Sequence, residues 1–389
     1  MISKKKIKVL WLASWYPNRE DSIYGIFIKK QAIATSAFCE VSVLYAQESE
    51  GNTYEMNIQN DPFLEVIVYY PKSTFLFFKW IRYVKALLKG FSEIKNRVGE
   101  PELVHVHVVH PVSVMAVYLK FFHQIKYVVS EHSTFYKEWV LDKINKQYLI
   151  KLISKIGLNQ AELTIALSEN HAEVFKKLNL TKQFRTVPNV VNTDIFHLPL
   201  KNRPANQQIF RLLHVSSLYE PDKNVKGILR GIKLLSERRQ DFELHIIGSE
   251  KYHADLKNEA ISLELSENSV HFQGFVTEMG VAQAMQLADI FILFSYFEGL
   301  PCVILEALST GLPVVASETG GMSEWIDDET GKLMPINDEH ALAESLNYVM
   351  NNYQKYQAEK IRQKVDDHCS PERVGHQIFE IYKQVLTTQ

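Results

Sequence analysis

Two glutamates, Glu298 and Glu306, lie in a stretch whose composition builds an anion site. Ile290 to Phe294 is an unbroken apolar run, the pattern of a strand buried on both faces. Glu298-Gly299-Leu300 reads as a turn, and Pro301 suits the first helical position, where a missing N–H costs nothing. Val303, Leu305 and Leu308 then give a helix an apolar face, Gly311 ends it, and Val314-Val315-Ala316 forms the next buried strand. Such a parallel strand–helix–strand unit aims the unpaired N–H groups of the helix start, near Leu300, Cys302 and Val303, beyond the strand ends, where anions bind. At about 1.5 Å per residue, Glu306 falls about 7 to 8 Å along this helix from Pro301. Carboxylates beside an anion site make sense when they accept hydrogen bonds from neutral hydroxyls. A diphosphate on the helix amides, with sugar hydroxyls at Glu298 and ribose hydroxyls at Glu306, fits that arrangement. A plainer reading makes Glu298 a helix N-terminal acid and Glu306 a solvated helix residue.

Other polar residues sit where a doubly wound sheet would present them to a ligand. Gly25 occupies the first strand-to-helix loop, and Gly248 ends the apolar run Leu244 to Ile247. Phe275 and Val276 follow another strand, and Lys223 lies in the loop after the strand Arg211 to Val215. Leu103 to Val109 reads as a strand carrying His105 and His107 on one face, with His110 just beyond and Pro111 opening the next helix. No cysteine or clustered carboxylate nearby completes a ligand set there, so no metal is expected at these histidines. A neutral imidazole hydrogen-bonds a sugar, and a protonated one stabilises phosphate charge. His132 follows the strand Lys126 to Val129 within Ser130-Glu131-His132-Ser133.

The elements that must position these groups alternate strand and helix in both halves, which implies two doubly wound α/β sheets. At 389 residues the chain suits two domains, and 46% hydrophobic with 23% charged residues is a globular composition. We place the first domain at 1–195 and the second at 196–370, with a linker over 196–209 and an amphipathic terminal helix over 371–389. Residues 47–61 read as a polar loop, and the chain after residue 331 as charged helices. Cys39, Cys302 and Cys369 are widely separated, which suggests a reducing compartment. The apolar run Val9 to Ala13 is too short for a signal-peptide core, and no stretch approaches the roughly 20 apolar residues that span a bilayer. The expected location is therefore cytoplasmic.

Charge is unevenly spread. Residues 1–193 carry 25 Lys/Arg against 17 Asp/Glu, whereas 194–389 carry 18 against 28. A basic first half suits an anionic surface or substrate, or attraction to the acidic second half. Residues 72–97 concentrate the effect: Lys72, Lys79, Arg82, Lys85, Lys89, Lys95 and Arg97 are interleaved with Phe75, Phe77, Phe78, Trp80 and Phe91, and only Glu93 is acidic. This pattern suits a helix lying on an anionic membrane, on the inner face of the plasma membrane, or a core helix with lysines on its wet face.

Glu298, seven residues and Glu306 match the E-x7-E signature of family 4 of the retaining glycosyltransferases, and Asp289, Gly299, Leu300, Pro301, Ala307, Gly311, Pro313, Gly320, Gly321 and Glu324 stand where that family has them. The resemblance implies the GT-B fold, two Rossmann-like domains facing each other across a cleft, with the terminal helix crossing back to the first. It implies transfer of a sugar from a nucleotide-diphosphate sugar to a hydroxyl of a glycan or lipid-linked acceptor, in cell-surface polysaccharide synthesis. Glu298, His107 and Lys223 are then catalytic. Gly25, Ser217, Gly248, Phe275, Val276, Gly299, Leu300, Cys302, Val303 and Glu306 join Lys223 and Glu298 at the donor, and His110 and His132 border the acceptor. Similar basic, aromatic segments serve lipid-linked acceptors in the family, which favours membrane contact by 72–97.

The chain also departs from the family pattern. Ser217 stands where relatives carry a diphosphate-clamping arginine, Val190 and Asn192 replace a usual glycine and aspartate, and Gly25 stands without a paired glycine. The missing arginine leaves Lys226 or Arg230 as possible compensating cations. No Asp-x-Asp occurs, so neither a metal nor any cofactor beyond the donor nucleotide sugar is expected, and no nucleic-acid partner is indicated. A sugar-nucleotide epimerase or phosphorylase on the same architecture, and a non-catalytic nucleotide-sugar-binding protein, are the alternatives.

Overall fold

The computed structural model describes residues 6–133, 148–181, 183–199, 209–266 and 269–388. The chain divides into two compact units, residues 1–190 with 371–389, and residues 191–370. The division falls five residues before the boundary placed from composition, and most of the expected linker lies outside the described residues.

The first unit is an eight-stranded sheet ordered β3-β4-β2-β1-β5-β6-β7-β8. Its strands are β1 (Lys8–Ala13), β2 (Glu40–Ser49), β3 (Glu55–Asn60), β4 (Leu64–Pro71), β5 (Leu103–His107), β6 (Tyr127–Ser130), β7 (Leu163–Ala166) and β8 (Phe184–Thr186). All pair in parallel except β3, which runs antiparallel to β4 at the edge. This corrects the expected loop over 47–61: β2 continues to Ser49, and Glu55–Asn60 forms a polar edge strand. Five of its six residues are exposed, so it lacks the apolar alternation that marks a half-buried strand. The strand placed over 103–109 ends at His107, because Val108 turns into the left-handed region at φ 62°.

Helices cover both faces of this sheet. On one face, α2 (Leu76–Val98) and α3 (Ser113–His123) pack over an aliphatic core with α4 (Tyr148–Asn159) and α5 (Glu169–Lys177). On the other lie α1 (Ile26–Ser36) and the chain's final helix, Pro371–Thr387, which buries Val374, Ile378, Tyr382 and Val385. A Cβ at Gly375 would lie 2.4 Å from the Ala34 carbonyl oxygen, so glycine is what lets these two helices approach so closely.

The second unit is an all-parallel six-stranded sheet, order β11-β10-β9-β12-β13-β14. Its strands are β9 (Phe210–Val215), β10 (Phe242–Ile247), β11 (Val270–Gln273), β12 (Ile290–Leu293), β13 (Val314–Ser317) and β14 (Gly331–Met334). The sixth corrects the expectation of helices alone after residue 331. Its helices are α6 (Glu220–Lys223), α7 (Val225–Ser236), α8 (His253–Ser262), α9 (Glu278–Leu287), α10 (Cys302–Ser309), α11 (Glu339–Asn351) and α12 (Ala358–Cys369), and the final helix Pro371–Thr387 is α13. Strand order reverses between β9 and β12 here, and between β1 and β5 in the first unit. Crevices form beyond the strand ends at such switch points.

Candidate functional site

In the second unit the switch point brings the loops after β9 and β12 together. The Tyr296 N–H donates to the Asp222 carbonyl at 2.8 Å, tying the β12 loop to α6. This places Lys223 Nζ 2.6 Å from Glu298 Oε1, with 20% and 8% of the two side chains exposed. The two residues expected to handle the diphosphate and the sugar, 75 positions apart, therefore meet, and Lys223 is no solvated loop lysine. One of its three ammonium hydrogens is used on Glu298, leaving two for an anion.

Backbone packing fixes the Glu298 loop. Gly320 has φ 62°, and a Cβ there would lie 2.1 Å from the Gly299 carbonyl oxygen and 2.5 Å from that of Glu298. The Gly321 N–H donates to the Gly299 carbonyl at 2.8 Å. Helix α10 begins at Cys302, one residue later than expected, with Pro301 in the N-cap instead of the first helical position, and Gly311 closes it at φ 77°. Glu306 is only 6% exposed on that helix, which rules out the solvated-face reading.

The remaining donor-side candidates have distinct settings. Ser217 is exposed, and its Oγ accepts a long contact from the Tyr219 N–H at 3.4 Å. Gly248 is buried, and a Cβ there would lie 2.3 Å from the Ser216 carbonyl oxygen; its want of a side chain serves the approach of this loop. Phe275 is 65% exposed at the end of β11, with Val276 half-buried beside it. Lys226 pairs with Asp255 at 2.9 Å, and Arg230 with Glu339 at 2.8 Å, so neither is held toward the Lys223–Glu298 pair. His214 supports the floor: Nδ1 lies 2.9 Å from the Ile292 carbonyl and Nε2 2.8 Å from Ser216 Oγ. Burial lowers its pKa to about 4, against the opposing hydrogen bond to Ile292 and with help from Lys223.

In the first unit the switch point carries the histidines. His107 is fully buried and stacks on Trp11 with ring centroids 4.0 Å apart. Its Nδ1 lies 3.3 Å from His132 Nε2, and its Nε2 has no partner among the described residues. Burial, then His105 and His132, holds His107 well below the ordinary histidine range. Burial, then His171, takes His132 down to about 3. Both rings are therefore neutral. His105 is a structural member, with Nδ1 2.6 Å from Tyr382 Oη and Nε2 2.7 Å from Ser130 Oγ. Gly25 caps α1 at φ 67°, where a Cβ would lie 2.6 Å from the Trp15 carbonyl carbon, so its conformation and contact both demand glycine.

His110 belongs to a different feature, a cavity of about 530 Å³ beyond the ends of β1, β2 and β4, which it lines with Ser14, Tyr45, Glu48, Tyr70 and Trp80. His110 and, as part of 72–97, Leu76, Lys79, Trp80 and Tyr83 were legible in it. The rest come from three separate strands and loops. Helix α2 borders this cavity through Leu76, Lys79, Trp80 and Tyr83. It buries Tyr83, Ala86, Leu87, Phe91 and Ile94, yet leaves Phe75 and Phe77 about 70% exposed, and Phe78, Ile81 and Leu88 substantially so. The segment thus has two apolar faces, one in the core and one outside. Its cations are partly engaged: Lys79 with Glu48 at 2.9 Å, and Lys85 and Lys89 each 5.5 Å from the centre of the Tyr54 ring. Among the described residues, no helix is long and apolar enough to cross a membrane.

Comparison with known proteins places this geometry. The profile "Glycosyl transferases group 1" matches residues 209–352, and "Glycosyltransferase Family 4" matches 35–195. The chain belongs to the family 4, group 1 glycosyltransferases. The amylovoran biosynthesis glycosyltransferase AmsK of Erwinia amylovora is 35% identical over 151 residues, a match spanning 37% of this chain and 37% of AmsK. The N-acetyl-alpha-D-glucosaminyl L-malate synthase of Bacillus anthracis is 23% identical over 79% of this chain and 81% of its own. Among solved structures, the sucrose-phosphate synthase of Thermosynechococcus elongatus superposes with TM-score 0.79 at 18% identity, over 98% of this chain and all of that one. HepE of Anabaena, in complex with UDP and glucose, gives 0.74 at 16% identity over 97% of this chain and all of that one. The fold is GT-B, with two Rossmann-like sheets.

Two features of this family member had no signal in the sequence. Tyr219 and Tyr252 bring their ring centroids to 6.3 Å in an edge-to-face pair beyond the ends of β9 and β10. Asn337, beyond β14, accepts from Tyr296 Oη at 3.1 Å and Asn224 Nδ2 at 3.5 Å, bracing the loops on either side of the switch point.

Proposed function

We propose that this chain is a retaining glycosyltransferase that moves a sugar from a nucleotide-diphosphate sugar to a hydroxyl of a glycan or lipid-linked acceptor. The observation that carries the reading is the Lys223–Glu298 pair at the switch point, beside the start of α10 and with Glu306 buried along it. The bond from the anomeric carbon to the diphosphate breaks with its electron pair passing to the diphosphate, the acceptor oxygen bonds the anomeric carbon on the same face, and the acceptor hydroxyl's proton passes to the departing diphosphate. The charge developing there is met by Lys223 and the N–H groups of Cys302 and Val303 at the start of α10. Pro301 supplies no N–H. Glu298, held at one oxygen by Lys223, takes sugar hydroxyls, and Glu306 takes the ribose. With the arginine position occupied by Ser217, and Lys226 and Arg230 engaged elsewhere, Lys223 carries most of the side-chain charge at this centre, and no divalent ion or cofactor joins it.

On the first unit, neutral His107 and His132 suit hydrogen bonding to sugar hydroxyls. The cavity at His110 is the acceptor pocket. Helix α2, with Phe75, Phe77 and Phe78 outside and lysines at its margins, lies on an anionic membrane surface, as a peripheral protein of the cytoplasmic face would. Relatives named for amylovoran biosynthesis, O-antigen chain and phosphatidylinositol mannosyl transfer support cell-surface glycan assembly.

Glu298→Ala tests the assignment. Transfer from the matching nucleotide sugar should fall at least 100-fold, about 2.7 kcal/mol, while nucleoside-diphosphate binding remains measurable. Wild-type turnover in this variant would remove Glu298 from the mechanism.

A further inference from the structure

A second cluster of chemically capable side chains lies on the second unit, away from the strand ends that carry Gly248 and Phe275. Glu243 and His245 alternate along β10 and so share one face of the sheet. His271 on β11 is the register partner of His245. Neighbouring strands lie about 4.8 Å apart, which sets the two imidazoles side by side, with ring centroids 4.7 Å apart. Glu243 reaches both: Oε1 lies 2.9 Å from His245 Nε2, and Oε2 lies 3.7 Å from His271 Nε2. One ligand atom from each residue lies within 4.8 Å of the others, and no other such trio occurs among the described residues.

We propose that Glu243, His245 and His271 bind one divalent transition-metal ion of the zinc class, with water in the fourth position. Two imidazoles and one carboxylate are a zinc donor set. Bonds of about 2.0 to 2.2 Å in a tetrahedron place ligand atoms about 3.3 to 3.6 Å apart. With Oε2 as the carboxylate ligand, the 3.7 Å spacing to His271 Nε2 lies about 0.1 Å beyond that range, and the His245 ring, 2.9 Å from Oε1, must swing from Oε1 towards Oε2. Arg211 Nε holds Glu243 Oε1 at 2.8 Å, which orients the carboxylate and leaves Oε2 directed at His271. All three side chains retain solvent access, at 22%, 27% and 41% exposure, so an ion has an entry path. The ion would pin the edge strand β11 to β10, a stabilising role separate from sugar transfer.

The test uses the full chain, stripped with chelator and dialysed against buffered zinc, with bound metal measured by emission spectrometry. About one equivalent should be retained, and metal-loaded protein should melt at a higher temperature than the stripped form. His245→Ala and His271→Ala should each lose nine-tenths or more of that zinc while binding nucleoside diphosphate as the wild type does, which also shows that they fold. No retained equivalent in the wild type overturns the proposal. So does either histidine variant keeping more than half of the wild-type zinc.

Discussion

Replacing Gly320 by alanine perturbs the proposed donor site without replacing any residue assigned to the ligand. A Cβ at this position would stand 2.1 Å from the Gly299 carbonyl oxygen and 2.5 Å from that of Glu298, where real contacts begin at 3.0 to 3.4 Å. The Glu298–Gly299 backbone must then withdraw by about 1 Å, straining the 2.8 Å hydrogen bond from the Gly321 N–H. A displacement of about 1 Å at a reacting centre costs on the order of 100-fold in rate. The left-handed φ of 62° adds about 1 to 2 kcal/mol of strain for any residue with a Cβ. Gly320→Ala should therefore melt a few degrees lower, bind nucleoside diphosphate more weakly and turn over about 100-fold more slowly. The assays are differential scanning calorimetry, titration calorimetry and initial rates with the matching nucleotide sugar. Gly51→Ala is the control, because nothing lies nearer than 3.7 Å to a Cβ there. Wild-type affinity and turnover in Gly320→Ala would refute the claim that this backbone contact positions Glu298.

Two further outcomes follow from the first unit and the buried histidines. Phe77→Ser with Phe78→Ser should reduce co-sedimentation with anionic vesicles at least tenfold and leave the melting temperature unchanged, since both rings lie outside the core; equal sedimentation would remove α2 from the membrane. His132, with a pKa near 3, and His214, near 4, are neutral when folded but take up protons near pH 6.5 when unfolded. Between pH 6.5 and those folded values the unfolded chain binds more protons, so stability falls with pH, by about 2 kcal/mol per group from pH 6.5 to 5. Urea midpoints at the two pH values read this loss, and a flat profile would contradict the burial argument.

The parts of the site legible in the sequence are those encoded locally. The β12–α10–β13 unit announces itself through two apolar runs, a proline at the helix start and a glycine at its end, and it carries both glutamates. Lys223 was legible by its place after β9, but its contact with Glu298 depends on strand order, because β9 and β12 are neighbours only after a crossover. Glu243, His245 and His271 fail to read as a cluster for the same reason: a strand register joins residues that the chain separates. The cavity at His110 is assembled from the ends of β1, β2 and β4 and from α2, so its aromatic lining has no common motif. Edge strand β3 escaped because its outward residues are polar, and β14 because it is short and opens with glycine. Gly248 and Gly25 were legible as glycines at loops, whereas the close contacts that require them are with the chain's own backbone.

The central claim is that a nucleoside diphosphate binds the second unit through Lys223 at the β9–β12 switch point. Titration calorimetry with a panel of nucleoside diphosphates, run on the wild type and on Lys223→Met, tests it most directly. Losing one charge-assisted contact worth about 1.5 to 3 kcal/mol should weaken the best diphosphate by about 10- to 150-fold, with the corresponding monophosphate less affected. Binding of no member of the panel by the wild type, or equal affinity in Lys223→Met, would contradict the account.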